Sequence, residues 1–216
     1  MIKLLYILEN KILVPLRSKE ERTKNYQIAT QKKIQQYMNG GGKGNLNLYD
    51  TPITSLPSGL KVGGFLNLFG TKITSLPPNL SVGGDLDLNY APITSLPPGL
   101  SVGGDLNLYG TKIKSLPPDL IVDRNLVLSN TPIASLPSGL TVKNSLYLNS
   151  ALITSLPSGL TVGDYLNLSS TKITSLPSDL KVGGNLDLAN TPLSKSHNVE
   201  QIRQMAPGVK GKIFIQ

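Results

Sequence analysis

No cysteine, no tryptophan and a single histidine occur among the 216 residues of this chain. Without cysteine there is no disulfide framework, no thiolate metal site and no cysteine nucleophile, and the composition suits a reducing, cytoplasmic compartment. His197 stands in the polar run Ser194-Lys-Ser-His-Asn198 with no carboxylate partner nearby in sequence, and reads as a lone surface side chain. Charge is sparse too, at 16% of residues against 39% hydrophobic, which excludes an intrinsically disordered polyelectrolyte and permits a packed interior. Long apolar runs are missing. The stretch Met1–Leu8 is broken by Glu9 and Lys11 and carries no small-residue cleavage site, so neither a signal peptide nor a membrane span is predicted. Zinc-ligand spacing, a Gly-x-Ser-x-Gly elbow and a Walker motif are all lacking, and no catalytic, metal or cofactor site is expected.

The net charge of +8 is unevenly spread. Residues 1–45 hold nine Lys/Arg and three Glu, residues 46–191 eight Lys/Arg and nine Asp, and residues 192–216 four Lys/Arg and one Glu. The basic character therefore belongs to the two ends, and the middle is close to neutral.

What the middle has is periodicity. From Leu46 the chain repeats every twenty residues without an insertion, through Leu66, Leu86, Leu106, Leu126, Leu146, Leu166 and Leu186. The same spacing runs through the columns that begin at Leu48, Ile53, Leu56, Pro57, Leu60 and Val62. A period of this length marks a solenoid. In Gly104-Asp-Leu106-Asn-Leu108-Tyr-Gly the alternation of period two predicts a short strand with its leucines inward. Ser115-Leu-Pro-Pro-Asp-Leu120 predicts extended chain in a tight turn, because proline fixes φ and biases its predecessor away from helix. The pairs Gly63-Gly64, Gly83-Gly84, Gly103-Gly104 and Gly183-Gly184 are expected at the turn into the next strand. No unit of six apolar side chains can offset the ordering of twenty residues alone, so the units must stack around one shared core.

The pattern Leu-x-Leu-x-x-Thr-x-Ile-x-x-Leu-Pro-x-x-Leu resembles the leucine-rich repeat family, in particular its short twenty-residue bacterial type, over about residues 45–194. The Leu-Pro-x-Gly-Leu-x-Val-Gly-Gly wording is similar to uncharacterised repeat proteins of tailed bacteriophages. The resemblance implies a leucine-rich-repeat-type solenoid, with a parallel β-sheet on one face and extended or 3-10 loops on the other. It also implies the cytoplasm of a bacterial or phage-infected cell. Bacterial effectors with such repeats can carry a cysteine ligase domain; this chain has no cysteine to support that activity. One departure is the column Thr51, Thr71, Ala91, Thr111, Thr131, Ala151, Thr171 and Thr191, where the family usually places asparagine. A threonine hydroxyl there can still bond to neighbouring backbone, whereas Ala91 and Ala151 cannot.

Three segments follow. Residues 1–45 are expected to form an N-terminal cap, with a hairpin of Ile2–Leu8 and Lys11–Leu16 and a basic helix from Ser18, whose Ser18-Lys-Glu-Glu21 has capping-box spacing, to about residue 38. Residues 46–194 hold eight repeats. Residues 195–216 are expected to close the array with a short helix, Val199–Met205, and a last strand, Lys212–Ile215. Helices are thus predicted only in the caps.

Residues whose numbers end in 5, 7, 9 and 0 should face outward along the sheet. All seven aromatics of the repeats fall there: Tyr49, Phe65, Phe69, Tyr90, Tyr109, Tyr147 and Tyr165. So do Asp50, Asp85, Asp87, Asp105 and Asp187, with no lysine or arginine among them. Exposed aromatics beside aspartate and asparagine are what binding surfaces use, although such residues also suit an exposed sheet for its own sake. The candidate partner-binding residues are Tyr49, Phe65, Phe69, Asp85, Asp87, Tyr90, Asp105 and Tyr109. Tyr49, Phe69 and Tyr109 share a column, with Asn89 in the gap. The leading expectation is a non-enzymatic protein-binding scaffold, as for a phage protein acting on a host or virion protein. Nucleic-acid binding through the basic ends, with Lys24, Lys32, Lys33 and Lys43 as contacts, is a second reading. Self-assembly through the termini is a third. A carbohydrate ligand also fits Tyr, Asn and Asp.

Overall fold

In a computed structural model, which describes residues 4–5, 14–15 and 18–216, the repeats wind into a regular solenoid of twenty-residue coils. Its main ladder is a nine-stranded parallel sheet. It runs in chain order through Leu46–Asn47, Leu66–Asn67, Leu86–Asp87, Leu106–Asn107, Leu126–Val127, Leu146–Tyr147, Leu166–Asn167 and Leu186–Asp187 to Ile213–Phe214. The register is in phase throughout, with each leucine opposite the one twenty residues on, as in Leu66↔Leu86 and Leu86↔Leu106. The leucine, isoleucine and valine columns are buried in every coil and form one continuous core.

Each strand ends in a tight turn. The N–H of Thr71 donates to the carbonyl of Leu68 (3.2 Å), with the residue before Thr71 at positive φ. That position recurs as Asp50, Gly70, Tyr90, Gly110, Asn130, Ser150, Ser170 and Asn190, all with φ between 51° and 67°, as the third residue of a type II turn requires. The threonine after it is buried and its Oγ1 donates back to the same leucine carbonyl, as Thr71 does to Leu68 (2.7 Å). Ala91 and Ala151 lack that bond but keep the backbone one, at 2.9 Å to Leu88 and Leu148. The curve of the coil therefore does not depend on the hydroxyl.

The opposite side is extended, and its last two residues pair as well. Lys61–Val62, Ser81–Val82, Ser101–Val102 and Ile121–Val122 form a second parallel ladder, and Thr141–Val142, Thr161–Val162 and Lys181–Val182 a third. Two-residue strands leave no alternation to read, which is why the sequence predicted only loops there. The glycine pairs follow these strands. They are needed for close approach and not for a left-handed turn: a Cβ on Gly103 would lie 2.5 Å from the Gly83 carbonyl oxygen, and neither residue has positive φ. The break between the two ladders falls where this column carries side chains, Asp123 and Lys143. The N–H to carbonyl bond across coils is 2.7–2.9 Å at Gly83, Gly103, Gly163 and Gly183 and 3.1 Å at Asp123. Among the described residues none is formed at Lys143, which instead makes an ion pair with Asp123.

Helix α1 (Lys19–Asn39) starts at a capping box in which Ser18 and Glu21 satisfy each other's backbone N–H, and it ends at Gly40. It covers the first coil: Thr30 and Ile34 are buried, Gln27 Nε2 donates to the Pro52 carbonyl (3.1 Å), and Lys33 Nζ donates to the Asn47 carbonyl (2.6 Å). Upstream, Leu4–Leu5 pairs antiparallel with Val14–Pro15; the turn expected between them lies outside the described residues. At the other end α2 (Pro192–Ser196) and α3 (Val199–Met205) replace the extended arm of a coil. Ile213 then pairs with Leu186 across 27 residues instead of twenty. Arg203 fastens this tail by donating to the carbonyls of Val209 and Gly211, both at 2.8 Å.

Candidate functional site

The outward face of the main ladder follows from strand alternation. With Leu106 and Leu108 fully buried, Asn107 and Tyr109 point the other way. The asparagine or aspartate between the leucines holds the chain for the turn, because its Oδ1 accepts the N–H two residues on: Asn47 from Tyr49 (3.0 Å), Asn67 from Phe69 (3.0 Å), Asp87 from Asn89 (2.9 Å). This local Asx geometry places the next side chain, Tyr49 or Phe69, on the sheet face at a fixed angle.

On this face the first four coils carry an unbroken file of rings. Tyr49 stacks on Phe69 with centroids 5.0 Å apart and planes 19° apart. Tyr90 meets Phe69 at 5.4 Å and 71°, and Tyr109 at 5.4 Å and 74°. Such separations and edge-on angles lie within the attractive range for aromatic pairs. Tyr49 and Tyr90 are each more than half exposed. Sequence spacing placed three of these rings in one column and left a gap at Asn89. The gap is closed by Tyr90, the neighbouring residue, whose positive φ turns it toward the column. Asn89 acts instead on the next coil, where its Oδ1 accepts the N–H of Tyr109 (2.9 Å). Asn107 consequently lacks its usual donor, and its buried Oδ1 has no partner among the described residues.

Beside the rings lies a shallow depression of about 290 Å³ lined by Phe65, Asn67, Asp85, Asp87, Asp105 and Asn107. All eight candidate residues thus fall on one face, four in the file of rings and four around the depression. Burial pushes the Asp87 carboxyl above its ordinary range, partly opposed by the Asn89 N–H. Asp85 Oδ1 accepts the Asp105 N–H (2.8 Å), and Asp105 Oδ1 accepts from Asn125 N and Nδ2 (3.1 and 3.0 Å). The acidic margin is not free of cations, as the columns implied: Arg124 Nε approaches Asp105 to 3.7 Å from the turn.

Further along, the face changes character. Tyr147 and Tyr165 form a separate pair at 5.7 Å, and Tyr165 Oη donates to Asp187 Oδ2 (3.0 Å). Burial, then that hydrogen bond and the charge of Asp187, push the Tyr165 phenol up to about 12. Ser129 and Ser145, predicted to face out, are buried. Ser129 Oγ is covered by its bond to Asn149 Oδ1 (2.6 Å), and Ser145 N–H and Oγ are taken up by Asn125 and Asp164 in adjoining coils. Small side chains in this stretch lie beneath the longer ones of neighbouring units.

Of the four lysines considered for nucleic acid, Lys33 is engaged with the Asn47 carbonyl, and Lys24, Lys32 and Lys43 are exposed. His197 Nδ1 lies 2.8 Å from Ser196 Oγ. No group of three or more metal-ligating side chains is gathered among the described residues, and no described helix is long and apolar enough to cross a membrane. No protein-family model matches the chain, and no curated protein matches it.

Proposed function

We propose that this chain is a non-catalytic protein-binding scaffold of the leucine-rich repeat kind, which holds its partner on the outward sheet face of the first four coils. The observation that carries this reading is the file Tyr49, Phe69, Tyr90, Tyr109. Leucines already fill the core beneath it, so these rings are surplus to folding, and large amphipathic rings in contact with one another are the usual anchors of protein interfaces. The tandem Leu-Pro units support membership of the short bacterial type of the family. Their similarity to phage repeat proteins supports a partner from the host cell or the virion.

The test is a pull-down from the native host, with bound proteins identified by mass spectrometry and compared between the wild type and a Phe69→Ala/Tyr109→Ala double variant. Proteins retained by the wild type and lost with the variant are expected, each single change weakening affinity by about 1–3 kcal/mol. Unchanged capture by the double variant would refute the assignment of the face. The basic ends favour a competing reading, nucleic-acid binding. Its signature is a steep salt dependence abolished by Lys24→Glu, Lys32→Glu and Lys33→Glu together.

A further inference from the structure

Among the eight residues at the positive-φ position of the turn, seven are glycine, asparagine, serine or aspartate. Glycine, asparagine and aspartate favour left-handed backbone, and the serines, Ser150 and Ser170, are at least small. The exception is Tyr90, at φ 58°. A bulky side chain in that conformation is strained, and such strain persists only where something else retains it. The core does not retain it, since Leu88 and Ile93 on either side are fully buried while Tyr90 is 55% exposed. Its surroundings are instead cleared for it: a Cβ on Gly110, the equivalent residue one coil on, would lie 3.0 Å from two carbons of the Tyr90 ring. What Tyr90 achieves is continuity, because it bridges Phe69 and Tyr109 across the coil whose column residue is Asn89.

The charge of the face says what it would meet. Asp50, Asp85, Asp87 and Asp105 stand beside the rings in these coils and the outward columns of the repeats hold no lysine or arginine; Arg124 reaches Asp105 at the far margin, and Lys33 the Asn47 carbonyl in the first coil. A surface of aromatic rings with one sign of charge is complementary to cationic side chains, through charge and through cation–π contact. It repels phosphate and acidic proteins. Asp87 is partly buried and lines the depression.

Resting on the proposed function, we infer that the partner presents an arginine- or lysine-bearing segment to this face, and that Tyr90 is the residue that determines its recognition. Tyr90→Asn is the informative change, since asparagine occupies the same position at Asn130 and Asn190 with φ of 57° and 61°. The probe is a display library of random twelve-residue peptides, selected on the immobilised full chain and sequenced. Recovered peptides are expected to be enriched in arginine and lysine over the unselected library. Their affinity should weaken as salt is raised and fall at least tenfold on Tyr90→Asn, without a fall in the thermal unfolding midpoint of more than a few degrees. Gly110→Ala, which crowds the ring without removing it and also strains the turn at φ 67°, should weaken binding too. Neutral or acidic peptides that lose binding to the Phe69→Ala/Tyr109→Ala variant would overturn this inference and leave the face assignment standing. Basic peptides that bind that variant equally well would sink both. Recovery of no binder, or binding indifferent to Tyr90→Asn and Gly110→Ala, would also overturn it.

Discussion

Removing residues 86–105 joins Asp85 to Leu106 and takes out one whole coil. If each coil contacts only its neighbours, the cut closes on itself. Leu66 then faces Leu106 as it faced Leu86, and Ser81 faces Ile121 as it faced Ser101. At 0.05–0.15 kcal/mol per residue, twenty residues carry about 1–3 kcal/mol of net stability, so that is the expected loss. The urea m-value should fall by about a tenth, in proportion to the chain removed. The control is a ten-residue deletion, residues 86–95, which joins Asp85 to Leu96 and, at that one junction, sets the strand leucines of the next coil against the extended arm of the coil before, while the later coils stay in register with one another. Urea unfolding followed by circular dichroism should show one cooperative transition for the twenty-residue deletion, and a far less stable or non-cooperative protein for the shorter one. Equal damage from the two deletions would refute coil-by-coil stacking, since the smaller excision would then have to be tolerated as well as the one in register. The longer deletion also removes Tyr90 and brings Phe69 and Tyr109 into adjacent coils of one column, the relation in which Tyr49 and Phe69 already stack.

Restoring the missing hydroxyl with Ala91→Thr should stabilise by about 0.5–1.5 kcal/mol, the net value of one hydrogen bond, and Thr111→Ala should cost at least as much; a lower urea midpoint for Ala91→Thr would show that the pocket cannot admit it. The Tyr165 phenol, raised from about 10 to about 12, contributes stability that is complete below pH 10 and lost as pH rises through 12. The gap in unfolding free energy between wild type and Tyr165→Phe should therefore be constant below pH 10 and shrink above it; a gap that widens with alkali would contradict the geometry of the Asp187 bond. Lys143→Gly should allow residue 143 to donate across the coils as Gly163 does, read as slowed amide exchange at that residue, and unchanged exchange would place the cause of the break elsewhere. Truncation after His197 should leave the Leu186–Asp187 strand as an open edge and promote aggregation in size-exclusion chromatography; a monodisperse product would show that the tail is not a cap.

The core and the face were legible because both depend on short-range regularities: leucines at fixed spacing and alternation within a strand. That is enough to place Leu106 inside and Tyr109 outside. The finer arrangement depends on residues twenty positions apart, which no local pattern displays. Tyr90 joins the rings because of the backbone handedness of its turn, and Asn89 holds Tyr109 from the coil before. Gly83 and Gly103 read locally as turn formers, yet their role concerns the carbonyl of the coil beneath. Ser129 and Ser145 are buried by the size of their neighbours rather than by their own polarity. Asp123 and Lys143, side chains in a column that is otherwise glycine, coincide with a break in pairing that the repeat pattern alone would not contain.

The in-phase register of the leucines also bears on how the chain finds its fold. A coil that pairs with its second neighbour instead of its first, looping out the unit between them, would satisfy every leucine column as well as the native partner does. The interior is therefore nearly blind to coil order, and correct assembly must be proofread from outside. Buried differences between units are small, such as Ala91 and Ala151 for threonine, and the larger marks are on the surface: Asp123 with Lys143, Tyr165 with Asp187, the rings about Tyr90, and the covers provided by α1 and the tail. Skipped-coil traps, escaped only by local unfolding, are the kinetic counterpart of so uniform a core.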